Sequence, residues 1–168
     1  MQHLTDNVMD VLGPPTKTIA FSNASMTIWS LPPIFATQVT GYASGELAEA
    51  IDSHVKDHFN RYDAIVTIHE WAGITDHDPV ARKILQQLTR DVSAKQREIV
   101  VYLGKGDTLV KKITIATAET ITRFRNIPIE IIREMAEFEK RLHQLVGCYR
   151  PERIASMQSL SDTPPPPR

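Results

Sequence analysis

The sequence predicts a single α/β domain with a mixed, mostly parallel sheet of four to six strands flanked by about four helices. Three observations lead to this prediction. Short β-branched segments open the chain, between residues 17 and 42, and later short apolar segments alternate with amphipathic, helix-length segments. The later apolar segments are nearly uninterrupted, as in strands buried on both faces. A strand, a helix and a second strand in succession form a parallel crossover whose helix covers the sheet.

The composition restricts the functional classes. A chain of 168 residues can bury a sizeable core in one domain. Lys and Arg number 19 and Asp and Glu number 20, so no overall charge recruits nucleic acid or an anionic membrane. No apolar run approaches the ~20 residues that span a bilayer. Cys148 is the single cysteine, which excludes an internal disulfide and favours a reducing, cytoplasmic compartment.

Three segments are expected along the chain. Residues 1–16 read as a leader that ends at the turn "GPP", and they lack the charged and apolar regions of a secretory signal. The α/β domain is expected over residues 17–147. Residues 148–168 are polar and end in four prolines before the last arginine, which predicts a flexible, Pro-rich tail.

The first half of the predicted domain contains three strands and a helix. "KTIAFSNASMTIWSLPP" predicts two strands around the turn "SNAS", and "IFATQVTGY" predicts a third strand closed by Gly41. Ser44 is the expected N-cap of a helix. Apolar residues recur in that helix at intervals of four, namely Leu47, Ile51, Val55 and Phe59.

A buried strand and a well-marked helix start follow. "DAIVTIHEW" is almost continuously apolar, and "DHDP" after it places Asp78 as an N-cap with Pro79 at the first helical position. The apolar stripe of this helix is Val80, Ile84, Leu88 and Val92. "EIVVYLG" is then a short buried strand.

Residues 107–123 leave two structures open. Asp107 could cap a helix whose apolar positions follow helical spacing, and this spacing favours the helix. The β-branched alternation in "KKITIAT" is instead typical of a hairpin after "GKGD". Beyond it, "IPIEII" predicts a brief strand, and "REMAEFEKRLHQLVG" predicts an amphipathic helix ended by Gly147.

The element order resembles the STAS-like, sporulation anti-sigma-factor-antagonist-like (SpoIIAA-like) bacterial proteins. The resemblance covers roughly residues 17–145. It rests on the helix after "VTGYASGELAEAI", the buried strand ending in "HEWAGIT" and the helix that opens at "DHDPVAR". Gly41 and the "WAG" before the second helix also match.

The resemblance implies a function through binding rather than catalysis. Some such proteins carry a serine or threonine at the start of the helix after the buried strand, and its phosphorylation switches partner affinity; others bind small apolar or nucleotide ligands. This chain departs there, because Thr75 is the only nearby hydroxyl and Asp78 places a permanent negative charge at the helix N-terminus. The resemblance still implies an interaction surface at this end of the sheet, for which the expected residues are Thr75, Asp76, His77, Asp78 and Arg82.

The run "IHEWAGITDHDP" also admits a metal-dependent hydrolase that uses His69, Asp76 and His77. On a strand, however, His69 and Glu70 point to opposite faces, and the spacing H-E-x-x-H is absent. Asp76 and His77 are expected in a solvated loop, and Trp71 is expected to anchor the strand end through its ring and N–H. The sequence therefore predicts no catalytic residue, no metal site and no cofactor.

The predicted function is that of a non-enzymatic regulatory or scaffold protein, which contacts another protein at the edge near the helix of residues 75–94. The alternative is a carrier of a small apolar ligand or lipid, since aliphatic strands and helices could line a cavity. A homodimer formed through edge strands or helices is a further expectation, because small sheets have edges that must be covered. Nucleic acid and a membrane span are not expected.

Overall fold

The computed structural model describes residues 8–152 and residue 155. Its six strands are β1 (Lys17–Phe21), β2 (Ala24–Leu31), β3 (Ile34–Ala43), β4 (Ile65–His77), β5 (Gln96–Tyr102) and β6 (Ile129–Ile132). Its α-helices are α1 (Gly45–Arg61), α2 (Pro79–Val92), α3 (Leu109–Arg125) and α4 (Met135–Tyr149), and a 3-10 helix spans Val8–Leu12. The strands lie in one sheet in chain order.

The sheet is antiparallel from β1 to β3 and parallel from β3 to β6. Each parallel pair is joined by a helix, so α1, α2 and α3 are the three crossover helices. This is the mixed, mostly parallel sheet with four helices that the sequence predicts, and the fold class is confirmed.

Two apolar cores cover the two faces of the sheet. On one face, α4 and the 3-10 helix pack over residues of β2 to β6, with Phe138 and Leu142 fully buried. On the other face, α1 and α2 pack on β2 to β4, with Leu47 and Ile51 buried. Burial of both faces explains why β4 begins with a nearly continuous apolar run.

The predicted helix starts are confirmed at α1 and α2. The Ser44 side chain accepts a hydrogen bond from the Leu47 N–H at 3.2 Å, and Asp78 caps α2 with a proline at its start. Residues 109–125 form a helix and not a hairpin. Its capping oxygen belongs to Thr108, which accepts from the Lys111 N–H at 3.3 Å, and not to Asp107.

Three predicted boundaries are wrong. β3 continues past Gly41 to Ala43, and β4 continues beside it, so Asp76 and His77 are strand residues and not loop residues. The register shifts twice along this pair, and each shift places an extra residue on β4. At the other end of the chain, α4 continues through Gly147 to Tyr149.

Two glycines permit close approaches of the backbone. Gly41 has a φ of +94°, and a Cβ there would lie 2.2 Å from the Asn23 carbonyl oxygen. The φ of Gly73 is not positive. A Cβ on Gly73 would instead lie 2.8 Å from Cγ2 of Thr40, so its role is to let β3 pass at the first register shift.

The packed part of the chain begins before residue 17. Within the expected leader, residues 8–12 form the 3-10 helix, in which Met9 and Leu12 are fully buried in the core under α4. Residues 1–7 lie outside the described residues, as does most of the expected tail (153–154 and 156–168). None of the described helices is long and apolar enough to cross a membrane.

Candidate functional site

The carboxyl edge of the parallel strands is where α2, α3 and α4 begin. Each helix follows one strand, so their first residues lie at the same end of the sheet. Helix α2 starts beyond the others, because β4 continues from Glu70, its last residue paired with β5, to His77. The large hydrophobic residues that are exposed in the described chain all lie there: Val80 is 57% exposed, Leu109 is 71% exposed and Met135 is 46% exposed. We call these three residues the apolar edge.

Ion pairs connect the loops at this edge. Lys105, in the loop before α3, lies 3.0 Å from a carboxylate oxygen of Glu134, which precedes α4. Arg133 donates to Asp107 Oδ1 at 3.0 Å and to the Gly106 carbonyl. The two loops that present Leu109 and Met135 are therefore held together, although each pair is exposed and contributes little stability alone.

Asp78 joins two helix starts. Its Oδ1 accepts from the Ala81 N–H at 2.6 Å, and its Oδ2 accepts from the Gly45 N–H at 2.8 Å. These hydrogen bonds, first that from Ala81, hold the pKa of the Asp78 carboxyl below its usual value. The carboxylate is thus occupied by α1 and α2, which gives the predicted fixed charge a structural role.

The remaining predicted residues divide between two surfaces. Thr75 and Asp76 are exposed beside the apolar edge. His77 and Arg82 are partly buried and line a cleft of about 150 Å³ between α2 and α3. The structure therefore does not bring all five predicted residues into one cluster.

The cleft lies over β5 and β6. It is the gap between α2 and α3, which stand apart on this face of the sheet. Its floor is formed by Ile99, Val101, Ile129 and Ile131. Leu85 on α2 and Ile113 on α3 form part of its walls, and Trp71 on β4 lies at one side. This cavity is the feature that the alternative prediction, an apolar ligand, requires.

A hydrogen-bond chain fixes two aromatic rings at the cleft. The Trp71 N–H donates to Thr37 Oγ1 at 3.1 Å, and Thr37 Oγ1 lies 2.8 Å from His69 Nδ1. The Thr37 hydroxyl therefore links both rings through one oxygen atom. Burial lowers the pKa of His69 to about 4, so the ring is neutral at physiological pH.

The metal-dependent hydrolase finds no support in this arrangement. Among the residues that the structure describes, no three or more His, Cys, Asp or Glu side chains are grouped so as to hold a metal ion. His69 binds Thr37, and the backbone N–H of His77 donates to Asp76. His54 and His58 lie four residues apart on α1, a spacing that could also bind a metal. His58 is buried, however, and its Nδ1 lies 2.8 Å from Ser30 Oγ.

The cleft and the apolar edge were not predicted residue by residue. Alternation along β4 places His69 and Trp71 on one face, which was readable from the sequence. That this face lies under a gap between α2 and α3 depends on helix placement and has no local sequence pattern. Val80 was predicted in the apolar stripe of its helix, yet it is 57% exposed, whereas Leu88 and Val92 of that stripe are buried. The exposure of Leu109 and Met135 was not predicted, because it depends on where the helix starts lie in the fold.

Comparisons with known proteins support the fold. The sequence matches no protein-family model and no curated protein. Among solved structures, an uncharacterized protein of the DUF3478 family with a SpoIIAA-like fold, from Shewanella loihica PV-4, matches with a TM-score of 0.52 and 10% identity. The match covers 74% of this chain and 97% of that chain. The protein thus has a SpoIIAA-like fold, as the sequence resemblance indicated.

Proposed function

We propose that the protein is a non-enzymatic regulatory or scaffold domain that binds another protein at the carboxyl edge of its sheet. The observation that carries this proposal is the apolar edge, Val80, Leu109 and Met135. Exposed apolar side chains at one end of a sheet, with charged residues near them, are typical of a protein interface.

The surroundings of the apolar edge suit partner recognition. Thr75 and Asp76 provide exposed polar groups beside Val80, and Arg82 lies at the border with the cleft. Polar groups at the rim of an interface set orientation and specificity, whereas the apolar centre supplies most of the affinity. The partner is therefore expected to present an apolar patch with a polar rim.

The edge is also built to be rigid. Asp78 fixes the starts of α1 and α2, and the Lys105–Glu134 and Arg133–Asp107 pairs connect the loops before α3 and α4. A surface held in its binding conformation loses less conformational entropy on association.

The proposal is tested by capture of partners from native cells with the purified protein and its surface variants. Val80→Asp places a charge in the proposed interface and is expected to abolish capture of a specific partner. Gln144→Asp, an exposed position late in α4, is the matched control and should capture as the wild type does. Equal capture by both variants, or the absence of any stoichiometric partner, would contradict the proposal.

The same variants test self-association. Sedimentation velocity of the purified protein shows whether a second copy occupies the edge. A dimer that Val80→Asp dissociates would make the partner another copy of this chain.

A further inference from the structure

We propose that the cleft between α2 and α3 binds a small carboxylate with a compact apolar body, the carboxylate at Arg82 and the body against Trp71 and the floor. The inference does not rest on the apolar edge, since Val80, Leu109 and Met135 do not line the cleft, although Arg82 borders both. It rests on the size of the cleft, its charge and the distribution of its polar groups.

The size of the cleft sets the size of the ligand. Its volume is about 150 Å³, and its floor consists of aliphatic side chains from β5 and β6, of which Val101 is 4% exposed. An apolar cavity of comparable volume in a protein core accepts a benzene molecule, so the ligand body has about six to eight non-hydrogen atoms.

The charge of the cleft sets the sign of the ligand. Among the described residues, the cleft is lined by Arg82 and two histidines and by no Asp or Glu. Within the same described part of the chain, the Arg82 guanidinium forms no ion pair and no hydrogen bond. A partly buried, permanently charged guanidinium beside apolar walls is stabilised by an anion, and its planar donors match a carboxylate.

The polar groups are distributed along the cleft so as to orient such a ligand. Arg82 lies in the first turn of α2, and His77 is the last residue of β4, so both lie at the carboxyl edge of the sheet. His77 Nδ1 is buried without a hydrogen-bond partner among the described residues. Leu85 and Trp71 lie further from this edge. The ligand therefore enters with its apolar body first and keeps its carboxylate at the mouth.

The aromatic side of the cleft is prepared before a ligand arrives. His69 and Trp71 have ring centroids 4.5 Å apart, and Thr37 holds both rings by hydrogen bonds. Their side chains therefore lose little freedom on binding, which favours affinity for a ligand of this small size. Trp71 also provides a fluorescence signal at the site itself.

Phenylacetate is the probe that tests this inference, and phenylacetamide is its uncharged counterpart. Titration of the purified protein, by calorimetry and by tryptophan fluorescence, should show saturable phenylacetate binding and weaker phenylacetamide binding. Loss of a hydrogen-bonded charge partner should make Arg82→Gln bind phenylacetate about tenfold to a hundredfold less tightly. Arg82→Lys keeps the charge but not the planar arrangement of donors, so its affinity for phenylacetate should lie between those of the wild type and Arg82→Gln.

Two controls separate this inference from the proposed interaction edge. Arg90→Gln, which removes an exposed arginine of α2 outside the cleft, should leave phenylacetate binding unchanged. Val80→Asp should also leave it unchanged, even where it abolishes partner capture. The inference is overturned if phenylacetate does not saturate the wild-type protein at millimolar concentration. It is also overturned if Arg82→Gln binds phenylacetate as tightly as the wild type does, or if the wild type binds phenylacetamide as tightly as phenylacetate. Circular dichroism establishes that each variant is folded.

Discussion

Replacing Asp78 with alanine should destabilise the protein more than removal of an ordinary helix cap. The Asp78 carboxylate accepts from Ala81 at 2.6 Å and from Gly45 at 2.8 Å, so one substitution removes bonds from two helix starts. Loss of an N-cap costs about 1 kcal/mol. Loss of the hydrogen bond from the Gly45 N–H to a charged acceptor costs about a further 1.5 kcal/mol, because water can partly replace the carboxylate. The expected decrease in the free energy of unfolding is therefore about 2.5 kcal/mol.

Ser44→Ala is the matched control, because Ser44 caps only α1 through its bond with the Leu47 N–H. Its expected cost is about 1 kcal/mol. Asp78→Asn keeps one carbonyl oxygen and should fall between Asp78→Ala and the wild type. Urea unfolding followed by circular dichroism measures all three values.

The contribution of Asp78 also depends on pH in a defined direction. Its folded pKa is held below the ordinary value of 3.8 by the bonds from Ala81 and Gly45. The contribution is therefore present above that ordinary value and is lost as pH falls through the folded pKa. The reasoning is refuted if Asp78→Ala costs no more than Ser44→Ala at neutral pH.

Three further predictions concern Gly41, Gly147 and His58. Gly41→Ala should prevent folding, because a Cβ there would lie 2.2 Å from the Asn23 carbonyl oxygen at a φ of +94°. Gly147→Ala, at an exposed position of α4, should instead stabilise the protein by about 0.5–1 kcal/mol. Thermal melts measure both effects. Burial lowers the pKa of His58 to about 4 from 6.5, so the unfolded chain takes up a proton first as pH falls, and stability decreases between those values. The loss should reach about 3 kcal/mol for His58. His58→Gln should reduce the pH dependence measured by urea unfolding without removing it, because burial also lowers the pKa of His69 to about 4. A profile parallel to that of the wild type would count against the assignment.

The parts of the fold that local chemistry determines could be predicted from the sequence. Ser44, Asp78 and Pro79 mark helix starts because a side chain or ring acts on the backbone within three residues. The start of α3 was misplaced by one residue, since Asp107 and Thr108 are both good caps. Tertiary contact decides between them, because Arg133 binds Asp107.

The parts that depend on distant pairing could not be predicted. The end of β4 looks like a loop in sequence, because "AGITDH" lacks apolar alternation. It is a strand because β3 runs beside it, with Ala43 opposite His77. The cleft likewise depends on the gap between α2 and α3. The sequence therefore predicted Arg82 at an interaction surface but did not predict the apolar floor that lies beside it.

The most direct test of the proposed interaction is hydrogen–deuterium exchange of the protein alone and in complex with its captured partner. Binding at this edge should slow amide exchange at the starts of α2, α3 and α4, the segments that carry Val80, Leu109 and Met135. The antiparallel strands β1 and β2 should exchange as they do in the free protein. Protection confined to β1 or to the outer face of α4, with the three helix starts unchanged, would contradict the account.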